Sequence, residues 1–317
     1  MEKVSCNNCQ SEKDTELYKD DEKRIVICDE CSLVYLNPRW TADEYEAHYN
    51  KNYQIKRHNI DDFDKAVARL ERKDSYERKK AQLPFFEEYI NKDGEVLDIG
   101  SGWGTLLKVI EDAYNCDVTG IEISNIAAQV SDKHYRIRTY NETLQQYFAK
   151  GRGQAFDFII LNHVMEHFLD PIEMLRRIKS LLKKGGSLFL AVPNMDSPDE
   201  SLNHYFRIEH TYYYTLRTLA DALQKAGLKI IKFELGKREI KVIVAVEKDP
   251  RPEVLPEGLD KKFTAENIQS VIRLQRNKYK VLRFLKKCAS HVMPKRMFNA
   301  VRKATITLLK KLHIIEI

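Results

Sequence analysis

Short apolar runs alternate with amphipathic stretches through the middle of the chain. GEVLDIG, DVTGIEIS, FDFIILNHV and GSLFLAVPN are compact apolar runs of the kind that strands buried on both faces require. YRIRTY is a weaker strand candidate, and TLLKVIEDAYN and PIEMLRRIKSLLKK between the runs are helical in pattern. This alternation predicts a doubly wound parallel sheet over residues 94–248. After GSLFLAVPN, TLRTLADALQKAG predicts a further helix. LKIIKFELG and EIKVIVAVEK then lie close enough to form an antiparallel hairpin, which brings the count to seven strands.

The flanks follow other patterns. Residues 41–93 are charged and read as helices, in TADEYEAHY and FDKAVARLERKDSYERKKAQLPFFEEYI. Residues 249–262 hold three prolines and read as a linker, and residues 263–317 are basic and helical in pattern. No fixed-period repeat is present. No run approaches 18 apolar residues, so no membrane-spanning helix is expected. The start, MEKVSCNNCQ, lacks the apolar stretch of a secretory signal, which gives a cytoplasmic expectation.

Composition adds two points. Hydrophobic residues at 43% beside charged residues at 32% allow a sizeable core and exclude wholesale disorder. The net charge of +6 is unevenly placed. Residues 251–317 carry 16 Lys and Arg against 5 Asp and Glu, so the rest of the chain is slightly acidic. A basic tail suits nucleic acid, anionic lipid or an acidic polymer. The near-neutral body argues against a protein that wraps nucleic acid.

Six cysteines in 317 residues are too few for a disulfide scaffold. Cys6 and Cys9 form one CxxC pair, and Cys28 and Cys31 form a second after 18 residues. Two such turns present four thiolates in a tetrahedron, the spacing of a structural zinc ribbon over residues 1–40. Its core is expected to be separate from that of the sheet domain. Cys116 and Cys288 read as ordinary reduced cysteines.

Asp98-Ile99-Gly100-Ser101-Gly102-Trp103-Gly104 lies between a strand and a helix, the context in which a glycine turn approaches a ligand. Glu122 ends the next strand, where an acid can accept ribose hydroxyls. Asp98 would oppose a pyrophosphate but favour an ammonium group, which points to an amino-acid nucleoside, S-adenosylmethionine.

VLDIGSGWGTLL, GIEIS, FDFIILNHVMEHFLDP, LLKKGGSLFLAVPN and HTYYYTLRTLADALQKAGL together resemble the successive motifs of class I S-adenosylmethionine-dependent methyltransferases, over about residues 75–248. The resemblance implies a seven-stranded, Rossmann-like methyltransferase sheet. It implies that Asp98, Gly100, Ser101, Gly102, Trp103 and Gly104 form the first cofactor motif. Glu122 would bind the ribose, Ile123 would flank the adenine, and Asn141 or Glu142 would sit by the adenine amino group. Asn162 and His163 would lie beside the transferred methyl. The cysteine-rich start, with CSLVYLNPRW and EYEAHY, resembles a bacterial subgroup linked to sugar, polysaccharide or secondary-metabolite modification.

Transfer to a hydroxyl needs a base. His163, Glu166 and His167 fall at i, i+3 and i+4, so a helical turn would put them on one face. His204, Glu209 and His210 follow the fifth strand and are expected to converge on the same strand ends. The candidate catalytic set is His163, Glu166, His167 and His210, with a purely structural role for Glu166 and His167 as the alternative. Ubiquinone-pathway O-methyltransferases and small-RNA 2′-O-methyltransferases resemble this stretch, with Glu-x-x-Glu-His binding a divalent metal. His163 replaces the first glutamate here, which disfavours magnesium and leaves zinc, manganese or iron for a catalytic site.

Tyr205, Phe206, Tyr212, Tyr213 and Tyr214 either stack an acceptor or pack the core. Met297, Val301, Ala304, Leu308 and Leu312 form an apolar stripe beside Lys295, Arg302, Lys303, Lys310 and Lys311. That pattern suits a helix lying on an anionic membrane surface at the inner face, or one docked on its own protein. The leading expectation is O-methylation of a sugar, polysaccharide or lipid-linked glycan. An RNA methyltransferase and a non-catalytic scaffold are the alternatives.

Overall fold

The structure, a computed structural model, describes residues 1–50, 60, 62–72, 75–198, 200–249, 251–256 and 264–292. Three short strands open the chain: β1 (Asp14–Lys19), β2 (Arg24–Cys28) and β3 (Val34–Leu36). The main sheet follows, with β4 (Glu95–Ile99), β5 (Asp117–Ile121), β6 (Arg138–Tyr140), β7 (Phe156–Asn162) and β8 (Leu182–Pro193). After β9 (Tyr212–Tyr213) it is completed by β10 (Leu228–Leu235) and β11 (Glu239–Val246).

The seven-stranded order is β10-β11-β8-β7-β4-β5-β6. Strands β4 to β8 pair in parallel, and β11 runs antiparallel to both β8 and β10. This is the methyltransferase-like Rossmann sheet, and its strand order reverses between β4 and β7. The crevice at their carboxyl ends is where an open α/β sheet receives a ligand. The apolar runs become strands because helices cover both faces. Leu97, Ile99, Leu161 and Leu190 fill one side, and Val96, Phe158, Ile160 and Phe189 the other. Each such side chain contributes about 1.5–3 kcal/mol by leaving water.

Three local expectations are corrected. The stretch PIEMLRRIKSLLKK is not helical throughout: the helix is Pro171–Lys179, capped by the Asp170 side chain, and Leu182 already pairs with Phe156 in the sheet. The residues between that pair and Phe158–Ser187 bulge out, with Gly185 at a φ of +80°. Second, residues 163–167 do not form one helical turn. Only Met165–His167 is helical, as a 3₁₀ turn, and His163 takes a left-handed φ of +58°. Third, the ribbon has no separate core. Its sheet runs β1-β2-β3-β9, so its fourth strand comes from the sheet domain. Cys6, Val26, Cys28, Leu33 and Tyr35 pack in one cluster with Tyr212, Tyr214 and Leu216.

The tail begins as the helix Ala265–Val292. Ile268 and Ile272 are buried in a cluster with Leu17, Leu202 and Tyr205. The Gln275 amide donates to the Glu200 carbonyl at 2.6 Å, and Arg276 donates to the Leu17 carbonyl at 3.2 Å. The start of the tail is therefore docked on its own protein. The apolar stripe from Met297 to Leu312, with its Lys and Arg neighbours, lies outside the described residues. Among the described residues no helix is long and apolar enough to cross a membrane.

Candidate active site

The glycine turn leaves β4 at the switch point and feeds the helix Thr105–Tyr114. The Gly100 and Ser101 amides donate to the Ile121 carbonyl at 2.8 and 3.1 Å, which ties the turn to the end of β5. Gly102 has a φ of +56°, and nothing lies within 4 Å of where its Cβ would be. Gly104 has a φ of +77°, and a Cβ there would collide with the Ser131 side chain. One glycine thus leaves open space and the other permits close packing.

Two buried carboxyls face this turn. Glu122 accepts from the Gly102 amide at 2.8 Å through Oε2 and from the Ser124 amide at 2.7 Å through Oε1. Each oxygen retains acceptor capacity for a further donor. Burial pushes the Glu122 carboxyl above its ordinary value. Asp98 is 4% exposed, and its Oδ1 has no hydrogen-bond partner among the described residues. Burial pushes its carboxyl up to about 8, against the pull of the Lys79 ammonium and with added repulsion from Glu122. A buried, under-satisfied acid beside an open glycine turn suits a ligand that brings an ammonium and hydroxyl donors.

The other members of the expected cofactor set are spread around this centre. The Asn141 amide donates to the Glu122 and Ile123 carbonyls at 2.9 and 3.1 Å, which clamps the end of β6 to the end of β5. Ile123 is 42% exposed, an apolar lip next to Glu122. Ser101 is buried with its hydroxyl unpartnered. Trp103 packs against a cluster of Ile60, Ala66, Leu70 and Val130. Glu142 is buried and paired with Lys150 and Arg152.

Across the switch point, Asn162 ends β7 opposite Ala191 of β8. Val164 packs directly on Gly100, its Cγ2 2.5 Å from where a Cβ would sit, so the two halves of the crevice touch. His163 lies between two acids. Its Nε2 is 2.8 Å from Glu239 Oε2, and its Nδ1 is 3.4 Å from Glu166 Oε1. Burial works to lower the imidazole, but the hydrogen bonds and charges of Glu166 and Glu239 prevail and hold it up at about 9. Glu166 is 1% exposed and held well below the ordinary carboxylate range, because His163 outweighs its burial. Its Oε2 has no hydrogen-bond partner among the described residues.

His167 Nδ1 donates to the Glu209 carbonyl at 2.8 Å, which in the neutral ring makes Nε2 the lone-pair nitrogen. The His167 and His210 rings stack edge-on at 4.8 Å. Ligand atoms of Glu166, His167 and His210 all lie within 4.8 Å of one another, a carboxylate-and-two-imidazole set able to hold a divalent metal. The structure brings together His163, Glu166, His167 and His210, though through a 3₁₀ turn and a left-handed His163 rather than the helical face that the spacing suggested. It leaves His204 exposed on the short helix Leu202–Tyr205. Tyr205, Phe206, Tyr212, Tyr213 and Tyr214 are all buried, so this aromatic patch is packing. Sequence reasoning missed Glu239. The signal was the hairpin itself: β11 pairs with β8 so that Glu239 faces Pro193, one strand away from Asn162.

The four ribbon cysteines are all reduced thiols with their sulfurs in one cluster. Cys6 and Cys31 are 3.4 Å apart, as are Cys9 and Cys28. Tetrahedral zinc with bonds of about 2.3 Å separates its sulfurs by about 3.8 Å, so the cluster fits such an ion with small adjustment.

A family model described as a methyltransferase domain matches residues 70–232. The ubiquinone biosynthesis O-methyltransferase of Coxiella burnetii is 30% identical over 118 residues, which are 36% of this chain and 50% of that protein. The enzyme of the same name from Actinobacillus pleuropneumoniae is 32% identical over 109 residues, 32% of this chain and 46% of its own length. The chain thus spans about half the length of the curated relatives it matches. A solved SAM dependent methyltransferase from Archaeoglobus fulgidus aligns with a TM-score of 0.45 at 18% identity, over 53% of this chain and 93% of that one.

Proposed function

The chain belongs to the methyltransferase-domain family, and from that premise we propose that it moves a methyl group from S-adenosylmethionine to an oxygen of a small-molecule acceptor. The observation that carries this reading is Asp98, a buried acid with an unpartnered oxygen beside an open glycine turn and Glu122. Asp98 and the turn at Gly100, Ser101, Gly102 and Gly104 would hold the amino-acid end of the cofactor. Glu122 would accept the ribose hydroxyls, with Ile123 and Asn141 on the adenine side. The cofactor supplies a methyl group on a sulfonium, which an acceptor oxygen attacks in line.

The chain's own part is to place that oxygen and take its proton. His210 is buried beside His167 and Glu166 and is the proposed base, with the Glu166 carboxylate steadying the imidazolium that results. His163 and Glu239, partly exposed, would orient the acceptor, and Asn162, at the end of β7, would sit beside the transferred methyl. The acceptor we favour is a hydroxyl of a sugar, polysaccharide or lipid-linked glycan. His163, Glu239 and Lys241 make a polar mouth, better suited to a polyhydroxyl than to an apolar ring.

A second reading of the same three residues is favoured by the unpartnered Glu166 Oε2 and the close ligand atoms. Glu166, His167 and His210 then hold a divalent transition metal that orients the acceptor oxygen. The four cysteines hold a structural zinc. The basic tail meets an anionic membrane surface, which brings a lipid-linked acceptor to the cleft. Cosedimentation with anionic but not neutral vesicles, weakened by salt, supports that role; equal recovery with both removes it.

The test of the reading is transfer of an isotopic methyl group from S-adenosylmethionine by the full chain. Nucleotide sugars, lipid-linked glycans and RNA are offered in parallel. Label on a sugar oxygen, reduced at least a hundredfold in His210→Ala, is the expected result, since general-base catalysis contributes about 10²–10⁴ in rate. Label on RNA would move the assignment to the nucleic-acid class. Cofactor binding with no transfer to any acceptor class would leave a scaffold.

A further inference from the structure

Residues 209–214 are gripped from two sides. On one side are the ribbon and the helix that follows it, Ala42–Asn50. The Leu36 amide donates to the Thr211 carbonyl at 2.9 Å, and β3 pairs with β9 through Val34–Tyr213 and Tyr35–Tyr212. Arg39, just beyond β3, donates to the Tyr212 hydroxyl at 3.1 Å. Tyr45 donates to the Glu209 carbonyl at 2.8 Å and lies 2.6 Å from the Thr211 hydroxyl. On the other side is the acceptor cluster. The Thr211 amide donates to the Glu166 carbonyl at 2.8 Å, and His167 donates to the Glu209 carbonyl.

His210 sits between these clamps. Its backbone lies where β9 leaves the ribbon's sheet, and its ring lies against His167. A strand of two residues has too few bonds of its own to persist in isolation. β9 exists because β3 offers it an edge, and the edge of β3 exists because the cysteine cluster closes the ribbon. Cys6 and Cys28 share their packing cluster with Tyr212 and Tyr214. Among the described contacts, none joins residues 1–45 to the glycine turn or to Glu122.

We infer that the four-cysteine ribbon is a positioning element for the acceptor side of the cleft: through β3, Arg39 and Tyr45 it sets the place of His210 against Glu166 and His167, and leaves the cofactor side to itself. Tyr45 and Arg39 are positioning residues, since they act through the 209–213 segment. The inference rests on the proposed acceptor role of His210 for its functional meaning. The coupling is read by backbone exchange, which does not depend on that role.

The experiment compares amide hydrogen exchange in the full wild-type chain, in a Cys28→Ser, Cys31→Ser double variant and in Tyr45→Phe. Opening of the ribbon in the double variant is expected to speed exchange in β9 (Tyr212–Tyr213) by about tenfold or more, since that strand then loses the β3 edge that protects it. Amides in β7 and β8 stay protected, the His210 ring resonance moves, and S-adenosylhomocysteine affinity stays within about twofold of wild type. Tyr45→Phe keeps the ribbon closed and speeds exchange near residue 211 by roughly threefold, the loss of a single hydroxyl's hydrogen bonds. Unchanged protection in β9 in the double variant overturns the inference, whatever the ribbon itself does. Equal loss of protection in β7 and β8, or loss of cofactor affinity, also overturns it, because the ribbon would then support the whole fold. If the coupling holds while methyl transfer to every acceptor class fails, it is the functional reading that falls.

Discussion

The two sides of the cleft are assembled in different ways. The groups of the proposed cofactor side, from Asp98 to Ser124, come from one strand–turn–helix–strand passage, with Asn141, Val164 and Lys79 reaching it from outside. The acceptor side draws on residues 163–167, on residues 209–211, on Glu239 of the hairpin and on the ribbon. Local chain geometry fixes the first side. Long-range pairing fixes the second, so its parts depend on elements far from the chemistry. A fold that hosts many reactions can keep the first kind of site while varying the second.

The contrast is broken most strongly at the turn. Gly104→Ala puts a Cβ into Ser131 at a left-handed φ. Backbone strain of roughly 1–2 kcal/mol and overpacking of about 1–3 kcal/mol then add. Thermal melting should show a loss of that combined size, and cofactor binding should fall with it. A variant as stable as wild type would mean that the turn has room the structure does not show.

A smaller effect sharpens the acceptor side. Glu239→Gln removes one of the two acids that hold His163 charged, so the imidazole should titrate nearer its ordinary value than the wild-type value of about 9. The wild-type value lies above the ordinary 6.5. The ion-pair contribution is therefore full below that pH and lost as pH rises through about 9. Proton NMR of the ring at rising pH, on chelator-treated protein, reads the shift directly. An unmoved titration would place control of His163 with Glu166 alone. S-adenosylhomocysteine affinity should change little, since Glu239 reaches Asp98 only through the Lys79 ammonium that feels both acids.

The mildest effect is the pH dependence of cofactor binding. The Asp98 carboxyl at about 8 is raised above its ordinary 3.8, with Lys79 and Glu122 as the charged groups acting on it. Its neutral form is the one the empty fold prefers. That contribution to stability is full below the ordinary value and disappears as pH rises through about 8. A ligand ammonium favours the ionised form, so binding at pH 7 should release a proton and tighten by up to about tenfold between pH 7 and pH 8.5. Calorimetry in buffers of different ionisation enthalpy checks the release. Identical heats in all buffers would show Asp98 already ionised.

The same contrast explains what the amino-acid sequence made legible. A strand covered on both faces must be almost continuously apolar, so β4, β5, β7 and β8 stand out. Glycines at positive φ and a CxxC pair repeated after 18 residues are equally local signals. Glu239 carries no local signal, because its meaning comes from the register of β11 on β8. β9 lies within YYYT, which reads as aromatic packing until β3 supplies an edge. The helix after Pro171 stops at Lys179 although its apolar spacing continues, because Leu182 is claimed by the sheet. The four members of the histidine–glutamate cluster were legible as residue types. Their meeting came from a 3₁₀ turn and a left-handed His163 that helical spacing did not predict.

The central claim is that the crevice between β4 and β7 binds S-adenosylmethionine through Asp98 and Glu122. Calorimetric titration of the full chain with S-adenosylhomocysteine tests it most directly, with Glu122→Ala run beside it. The account predicts one site per chain in the wild type and a loss of about 1.5–3 kcal/mol in the variant, since charge-assisted hydrogen bonds to the ribose are removed. No binding by the wild type, or equal affinity in the two proteins at equal melting temperature, would contradict it.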